Sequence, residues 1–213
     1  MSSTYHYLTE SERNCIGWLG GNAPAWFDDK KELVDDTNRH YGFYCTFQLE
    51  NPGQSLSIFI PEDYDYLLEN NTYPNCCIKA YTHPTTAESE DNYFRLMPEK
   101  PTSNEKLTTY QKKFDYSKPV LGKTLITANS VKNEKEAAFL TVGDDVFYIQ
   151  DKNFYREKLL NDGYELWGYI NEDGYYPLLR RTDFVHGNMP LSFGAMYLYR
   201  RGNEIIVGYW QYS

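Results

Sequence analysis

Between His40 and Leu49 large side chains occupy every second position: Tyr41, Phe43, Cys45, Phe47 and Leu49. After Asn51-Pro52-Gly53-Gln54 the alternation resumes at Leu56, Ile58 and Ile60. A period of two places each set on one face of an extended chain. Pro then Gly at the central positions suits a type II turn, in which the third residue takes a positive φ. Strands joined this tightly must pair antiparallel, because a parallel pair needs a long crossover. The same grammar recurs along the chain. Residues 16–19 read as a strand stopped by Gly20-Gly21, and 77–81 as another. Residues 137–142 run into Gly143-Asp144-Asp145, and 164–170 into Asn171-Glu172-Asp173-Gly174, an expected tight hairpin with 175–179 as its return. Residues 196–199 and 205–210 flank Gly202-Asn203.

Helices are expected to be few and short. Asp28-Asp29 reads as the cap of one through Leu33-Val34, Pro61-Glu62-Asp63 as the start of one through Leu67-Leu68, and Asp151 as the cap of one through Leu159-Leu160 that stops at Gly163. Leu107, Tyr110 and Phe114 fall at i, i+3 and i+7, which predicts a docked helix around residues 105–114. Residues 1–14 carry few apolar positions and are expected to form a short helix or an ordered tail. Four prolines (Pro84, Pro98, Pro101 and Pro119) punctuate a polar stretch that is expected to connect two halves.

Residues 19–30, Leu-Gly-Gly-Asn-Ala-Pro-Ala-Trp-Phe-Asp-Asp-Lys, align without gaps on residues 141–152, Thr-Val-Gly-Asp-Asp-Val-Phe-Tyr-Ile-Gln-Asp-Lys. A glycine, a pair of large side chains and Asp-Lys return; side chains that could do chemistry do not. The expectation is an α+β fold of two related, mostly antiparallel sheets in one globule. The chain reads as a single domain over 1–213, with pseudo-repeat halves 16–83 and 137–213 and a connection 84–136.

The formal net charge is −9, so a nucleic-acid partner is not expected, since phosphate binding needs a basic surface. An acidic surface suits a basic protein partner. The sequence holds 21 tyrosines, a residue at home both on half-buried strands and in interfaces. No run approaches the length of a membrane span, and the first residues carry no secretory signal. The four cysteines, Cys15, Cys45, Cys76 and Cys77, form no Cys-x-x-Cys pair, and reduced thiols in the cytoplasm are expected.

Chemistry-bearing motifs are weak. His6, His40, His83 and His186 lack metal-ligand spacing, so no metal or other cofactor is expected. His186 sits in a polar loop, where the alternative to a functional histidine is a solvated turn. Cys76-Cys77 has no assignable base. The acidic pairs fall at expected caps and turns. Gln48 and Gln150 are expected to make structural hydrogen bonds; the alternative is a pocket between the halves lined by Trp26, Tyr148 and Trp167.

Four stretches carry a family resemblance. They are Gly20-Gly21-Asn22-Ala23-Pro24 with Phe43-Tyr44-Cys45-Thr46-Phe47-Gln48-Leu49, then Ile149-Gln150-Asp151, then Phe193-Gly194-Ala195-Met196-Tyr197-Leu198-Tyr199. In this order they resemble the YwqG-like family of uncharacterised bacterial proteins, a domain of unknown function. The return strand at 56–60 fits as well, whereas Tyr169 departs from the Gln of the family pattern. The resemblance implies no established activity. It implies a cytoplasmic bacterial protein, with an association to interbacterial toxins that suggests an immunity role. The expected function is therefore a non-enzymatic protein-binding module, its partner a basic toxin domain. The alternative is an enzyme or small-ligand binder with a cleft between the halves. The expected partner-binding residues are Tyr64, Asp65, Tyr66, Asp144, Asp145, Glu172, Asp173, Tyr175 and Tyr176, since aromatics carry interface energy and acids steer association.

Overall fold

The computed structural model describes residues 3–97, 120–128, 132, 137–150, 152–175 and 190–212. Eleven strands form two antiparallel sheets. The first sheet orders β1 (Thr4–His6), β8 (Leu140–Val142), β9 (Glu165–Asn171), β10 (Ala195–Arg201) and β11 (Glu204–Gln211). The second orders β2 (Leu8–Thr9), β7 (Thr124–Thr127), β3 (Cys15–Leu19), β4 (Tyr41–Gln48), β5 (Gln54–Pro61) and β6 (Lys79–Pro84). Three short helices, α1 (Lys31–Val34), α2 (Tyr64–Glu69) and α3 (Lys152–Asn161), complete the described α+β fold. None of the described helices is long and apolar enough to cross a membrane.

The two sheets share a connectivity. In each, a strand leads through a glycine turn and a helical excursion to three further strands that are neighbours in chain order: β3 to β4, β5 and β6, and β8 to β9, β10 and β11. The N-terminal residues belong to both sheets. β1 pairs with β8 and β2 with β7, and the chain turns the corner at Tyr7, whose N–H donates to Thr127 Oγ1 at 2.8 Å and whose carbonyl accepts from Thr127 N at 2.9 Å. The expected helix or tail is therefore a corner strand. β7 lies within the expected connection, and residues 87–96 pin that connection to the outside of the second sheet through Ala25 N to Ala87 O at 2.9 Å and Ser89 N to Ala23 O at 2.9 Å.

The interior has three layers. Between the sheets lie Tyr44, Cys45, Phe47, Leu56 and Ile58 from one and Leu140, Ile170, Leu198, Val207 and Trp210 from the other. Outside the second sheet lie Phe27, Val34, Tyr41, Phe43, Phe59 and Phe94. Outside the first lie Leu159, Tyr164, Tyr169, Tyr197, Tyr199 and Tyr209. Both faces of β4 are thus buried, and the run from Tyr41 to Leu49 does not keep to one face. Phe43 pairs with Phe59 and Cys45 with Ile58, so Tyr44 is the extra residue of a bulge. Tyr41 and Phe43 face outward; beyond the bulge Cys45 and Phe47 face inward. At the β4–β5 turn, Gln54 N donates to Asn51 O at 3.2 Å and Gly53 has φ 78°, as a type II turn requires.

Local signals misplace some boundaries. Asp28-Asp29 caps no helix: Ala25–Phe27 is a 3-10 turn and α1 starts at Lys31. Asp63 does cap α2, accepting from Tyr66 N at 3.1 Å, while Pro61 ends β5. Residues 172–175 form a 3-10 turn in place of a hairpin, and β9 pairs with β10. Asp151, residues 176–179 and the predicted helix at 105–114 lie outside the described residues.

The buried bulge places the Tyr44 hydroxyl 2.5 Å from that of Tyr175, joining β4 to the turn after β9. Replacing either tyrosine by Phe is expected to cost about 1–3 kcal/mol by stranding the other hydroxyl, and the double replacement to cost less than the sum. Denaturant midpoints of the three variants check this; strict additivity would contradict it.

Candidate functional site: an aromatic cleft with an acidic lip

Register sets a row of side chains across the first sheet. Tyr5 of β1 stands opposite Thr141 of β8, Thr141 opposite Tyr169 of β9, Tyr169 opposite Tyr197 of β10, and Tyr197 opposite Tyr209 of β11. The rings stack, with centroids 6.1 Å apart for Tyr169–Tyr197 and 4.5 Å for Tyr197–Tyr209. At the β10–β11 end the row is covered. Tyr148 stacks on Tyr197 at 5.4 Å, Tyr155 of α3 stacks on Tyr209 at 5.2 Å, and Leu159 fills in beside them. Segment 147–150 is laced down through Tyr197 Oη, which lies 3.2 Å from Phe147 O and accepts from Ile149 N at 3.2 Å. Gln150 Oε1 accepts from Tyr155 Oη at 3.2 Å and Gln150 N donates to Gln211 Oε1 at 3.2 Å.

At the β1–β8 end the described residues leave a cleft of about 310 Å³ walled by Tyr5, Tyr7, Thr141, Phe147 and Tyr169. Its lip carries Asp145 and Lys132. Gly143, at φ 117°, turns the chain away from β8 here, and Ser3 lies against its α-carbon. Asp145 accepts from Tyr5 Oη at 2.6 Å and pairs with the Lys132 ammonium, which lies over the Tyr5 ring at 5.5 Å. Hydrogen bonds from Lys132 and Tyr5 hold the Asp145 carboxyl below its usual range. The bond to that carboxylate raises the Tyr5 hydroxyl and the Lys132 ammonium above theirs.

The predicted partner-binding residues separate into surface and interior. Asp145 is exposed at the lip, and its chain neighbour Asp144 is exposed as well. Tyr64, 42% exposed, and Asp65 lie on α2; Tyr66 is partly covered by Arg39, whose guanidinium stacks on its ring at 3.3 Å. The Tyr64 hydroxyl meets Ser192 Oγ at 2.6 Å, which brings α2 to the loop that presents the exposed Phe193. Asp173 is exposed beyond the C-terminal end of β9, while Asp144 and Asp145 follow that of its antiparallel neighbour β8, at the opposite end of the ladder. Glu172 and Tyr175, 1% and 0% exposed, are interior and present nothing to a partner. Tyr176 and His186 lie outside the described residues. Trp26, Tyr148 and Trp167 line no common pocket: they pack in the outer layer of the second sheet, the outer layer of the first and the inner layer respectively.

The buried Ser57–His83 pair and the cysteine pair are poorly placed for chemistry. Ser57 Oγ lies 2.7 Å from His83 Nε2, and His83 Nδ1 lies 2.8 Å from Pro84 O. A backbone carbonyl only accepts, so Nδ1 carries the proton and Nε2 is an acceptor; the single Ser57 proton has Nε2 and Thr46 Oγ1, at 2.9 Å, both in reach. The pair has the reach of a nucleophile and its base, but both residues are at most 2% exposed and burial depresses the imidazole pKa. Burial pushes the Cys76 and Cys77 thiols up to about 12, away from reactive thiolates. Among the described residues no three His, Cys, Asp or Glu side chains come together as a metal would require.

The walls of the cleft escape sequence reasoning because they depend on register. Tyr5 and Tyr7 alternate as strand residues do, which is the one local signal; nothing local places them beside Tyr169 and Phe147. Comparison with family models, curated proteins and solved structures finds no match for this chain.

The buried carboxyl group of Glu172 performs a structural task. Oε1 accepts from Leu191 N at 2.8 Å and Oε2 from Gly194 N at 3.3 Å, holding a loop in which Ser192 and Phe193 take φ of 51° and 59°. Desolvation outweighs these donors and raises its pKa to about 8, with Asp173 adding to the rise. The folded chain therefore keeps a proton that the unfolded chain loses near pH 4.5, the ordinary value. The group's contribution to stability falls as pH rises from there to about 8, then levels. Relative to Glu172→Gln, the wild type is expected to lose stability between pH 5 and pH 8. Urea denaturation at the two pH values checks it, and pH-independent separation of the two proteins would contradict it.

Proposed function

We propose that this chain is a non-enzymatic cytoplasmic protein-binding module whose partner is a basic protein, in the manner of an immunity protein covering a toxin domain. One observation carries the reading: Phe147, 62% exposed, stands at an open aromatic cleft that the carboxylate of Asp145 also lines, with the exposed Asp144 next to it in the chain. An apolar ring of this size is left in water at a cost that a partner's surface removes, and a rim of acids favours a basic one. The exposed Phe193 beside Tyr64 extends the same chemistry. The net charge of −9 adds long-range attraction. Four free thiols fit a reducing compartment. Burial of the Ser57–His83 pair favours binding over catalysis as the use of this fold.

Co-purification with the products of neighbouring genes tests the proposal. The recovered partner is expected to be basic. Its association rate is expected to fall steeply as salt rises, and Asp144→Lys with Asp145→Lys to abolish capture while the variant stays folded. A complex indifferent to both salt and the double reversal would contradict the reading.

A further inference from the structure

The Tyr5–Asp145–Lys132 arrangement at the cleft is one of four of its kind among the described residues. In each, a tyrosine hydroxyl donates to a carboxylate, and a cation pairs with that carboxylate while lying over the ring. Tyr41 donates to Asp36 at 3.1 Å, and Lys79 pairs with Asp36 at 2.6 Å and lies 4.0 Å from the ring centroid. Tyr73 donates to Asp162 at 2.8 Å, and Lys158 pairs at 2.9 Å and lies 5.6 Å from the ring. Tyr164 donates to Glu204 at 2.6 Å, and Arg201 pairs at 3.1 Å with its guanidinium 4.4 Å from the ring. The ring face attracts the cation, the carboxylate fixes it, and the hydroxyl holds the carboxylate in place.

The fourth set differs in its surroundings. Asp145 and Lys132 line an open cleft, with Tyr7, Phe147 and Tyr169 supplying further aromatic wall. The ammonium and the carboxylate remain 55% and 47% exposed, like the Arg201–Glu204 pair at 51% and 52%, and exposed pairs of this kind bind weakly. Lys132 lies 5.5 Å from the Tyr5 ring, about as far as Lys158 lies from Tyr73, so what sets it apart is the open cleft beside it. The site is thus built for a cation and holds a displaceable one. A guanidinium suits it better than an ammonium: it is planar, stacks on rings, takes a carboxylate through two N–H groups and is less hydrated.

We propose that this cleft receives an arginine side chain of the protein partner, and that Lys132 is the resident cation which that arginine displaces. The proposal rests on the protein-binding reading and names the group recognised. Its distinguishing consequence is a sign. If Lys132 merely helped to build the site, removing it would weaken binding; as a competitor, its removal strengthens binding.

The test titrates the full chain with acetyl-Gly-Arg-Gly-amide and with the matched citrulline peptide, following the ring resonances of Tyr5, Tyr7 and Tyr169. The arginine peptide is expected to shift all three rings, and the citrulline peptide, of similar shape without charge, to shift none. Lys132→Ala is expected to tighten arginine-peptide binding roughly two- to fivefold, and Asp145→Asn to weaken it at least about fivefold. Both positions are exposed, and melting curves confirm that the variants stay folded. Equal binding of the two peptides, or a Lys132→Ala chain that binds no better than wild type, overturns the proposal. If a basic partner is still captured through Asp144 and Asp145 in that case, the protein-binding reading survives and only the arginine subsite fails. If the peptide results hold and no basic partner exists, the subsite stands and the wider reading fails.

Discussion

Both faces of β4, β5, β10 and β11 are buried, and much of the structure follows from that constraint. A strand with one wet face alternates apolar with polar, but β4 hides seven of its eight residues and needs large side chains in both directions. Tyrosine answers this need. Its ring fills an outer layer, and its hydroxyl reaches a carboxylate, a backbone group or another tyrosine at the layer's margin. The bulge at Tyr44 belongs to the same solution. It turns the alternation over in mid-strand, so that one run of residues serves the inner layer with Cys45 and Phe47 and the outer layer with Tyr41 and Phe43.

The same economy explains where the surface becomes chemically distinctive. The tyrosine row of the first sheet is roofed by α3 and by segment 147–150 as far as Tyr197, and among the described residues that roof ends before Tyr5. Elsewhere the margins of the outer layers are closed by cations on tyrosine rings, each held by an acid of the chain itself. Such exposed pairs add little stability one by one. Asp145 is held in the same way at the lip, where it stands beside the exposed Phe147.

Much of this was legible in the sequence. Period-two runs and turn residues mark β3, β4, β5, β10 and β11, and Asp63 marks the start of α2, because these signals are local. What was hidden depends on partners far away in the chain. β1, β2 and β7 are too short to show a period, and they become strands by bonding to β8, to one another and to β3. Asn171-Glu172-Asp173-Gly174 has the composition of a hairpin turn, yet its glutamate is drawn inside by the backbone donors of residues 191 and 194. Of the candidate site, the acids at 144 and 145 were visible as an exposed turn. The walls of the cleft were not, since only register sets Tyr5, Thr141 and Tyr169 in line.

The central claim is that the unroofed end of the tyrosine row is where this chain meets its partner. Hydrogen–deuterium exchange of the chain, free and in complex, examines it most directly. The account predicts slowed exchange in residues 3–7 and 140–147, the backbone that carries Tyr5, Tyr7, Asp144, Asp145 and Phe147. Protection confined to the outer side of the second sheet, around α1 and β6, with residues 3–7 and 140–147 unchanged, would contradict it.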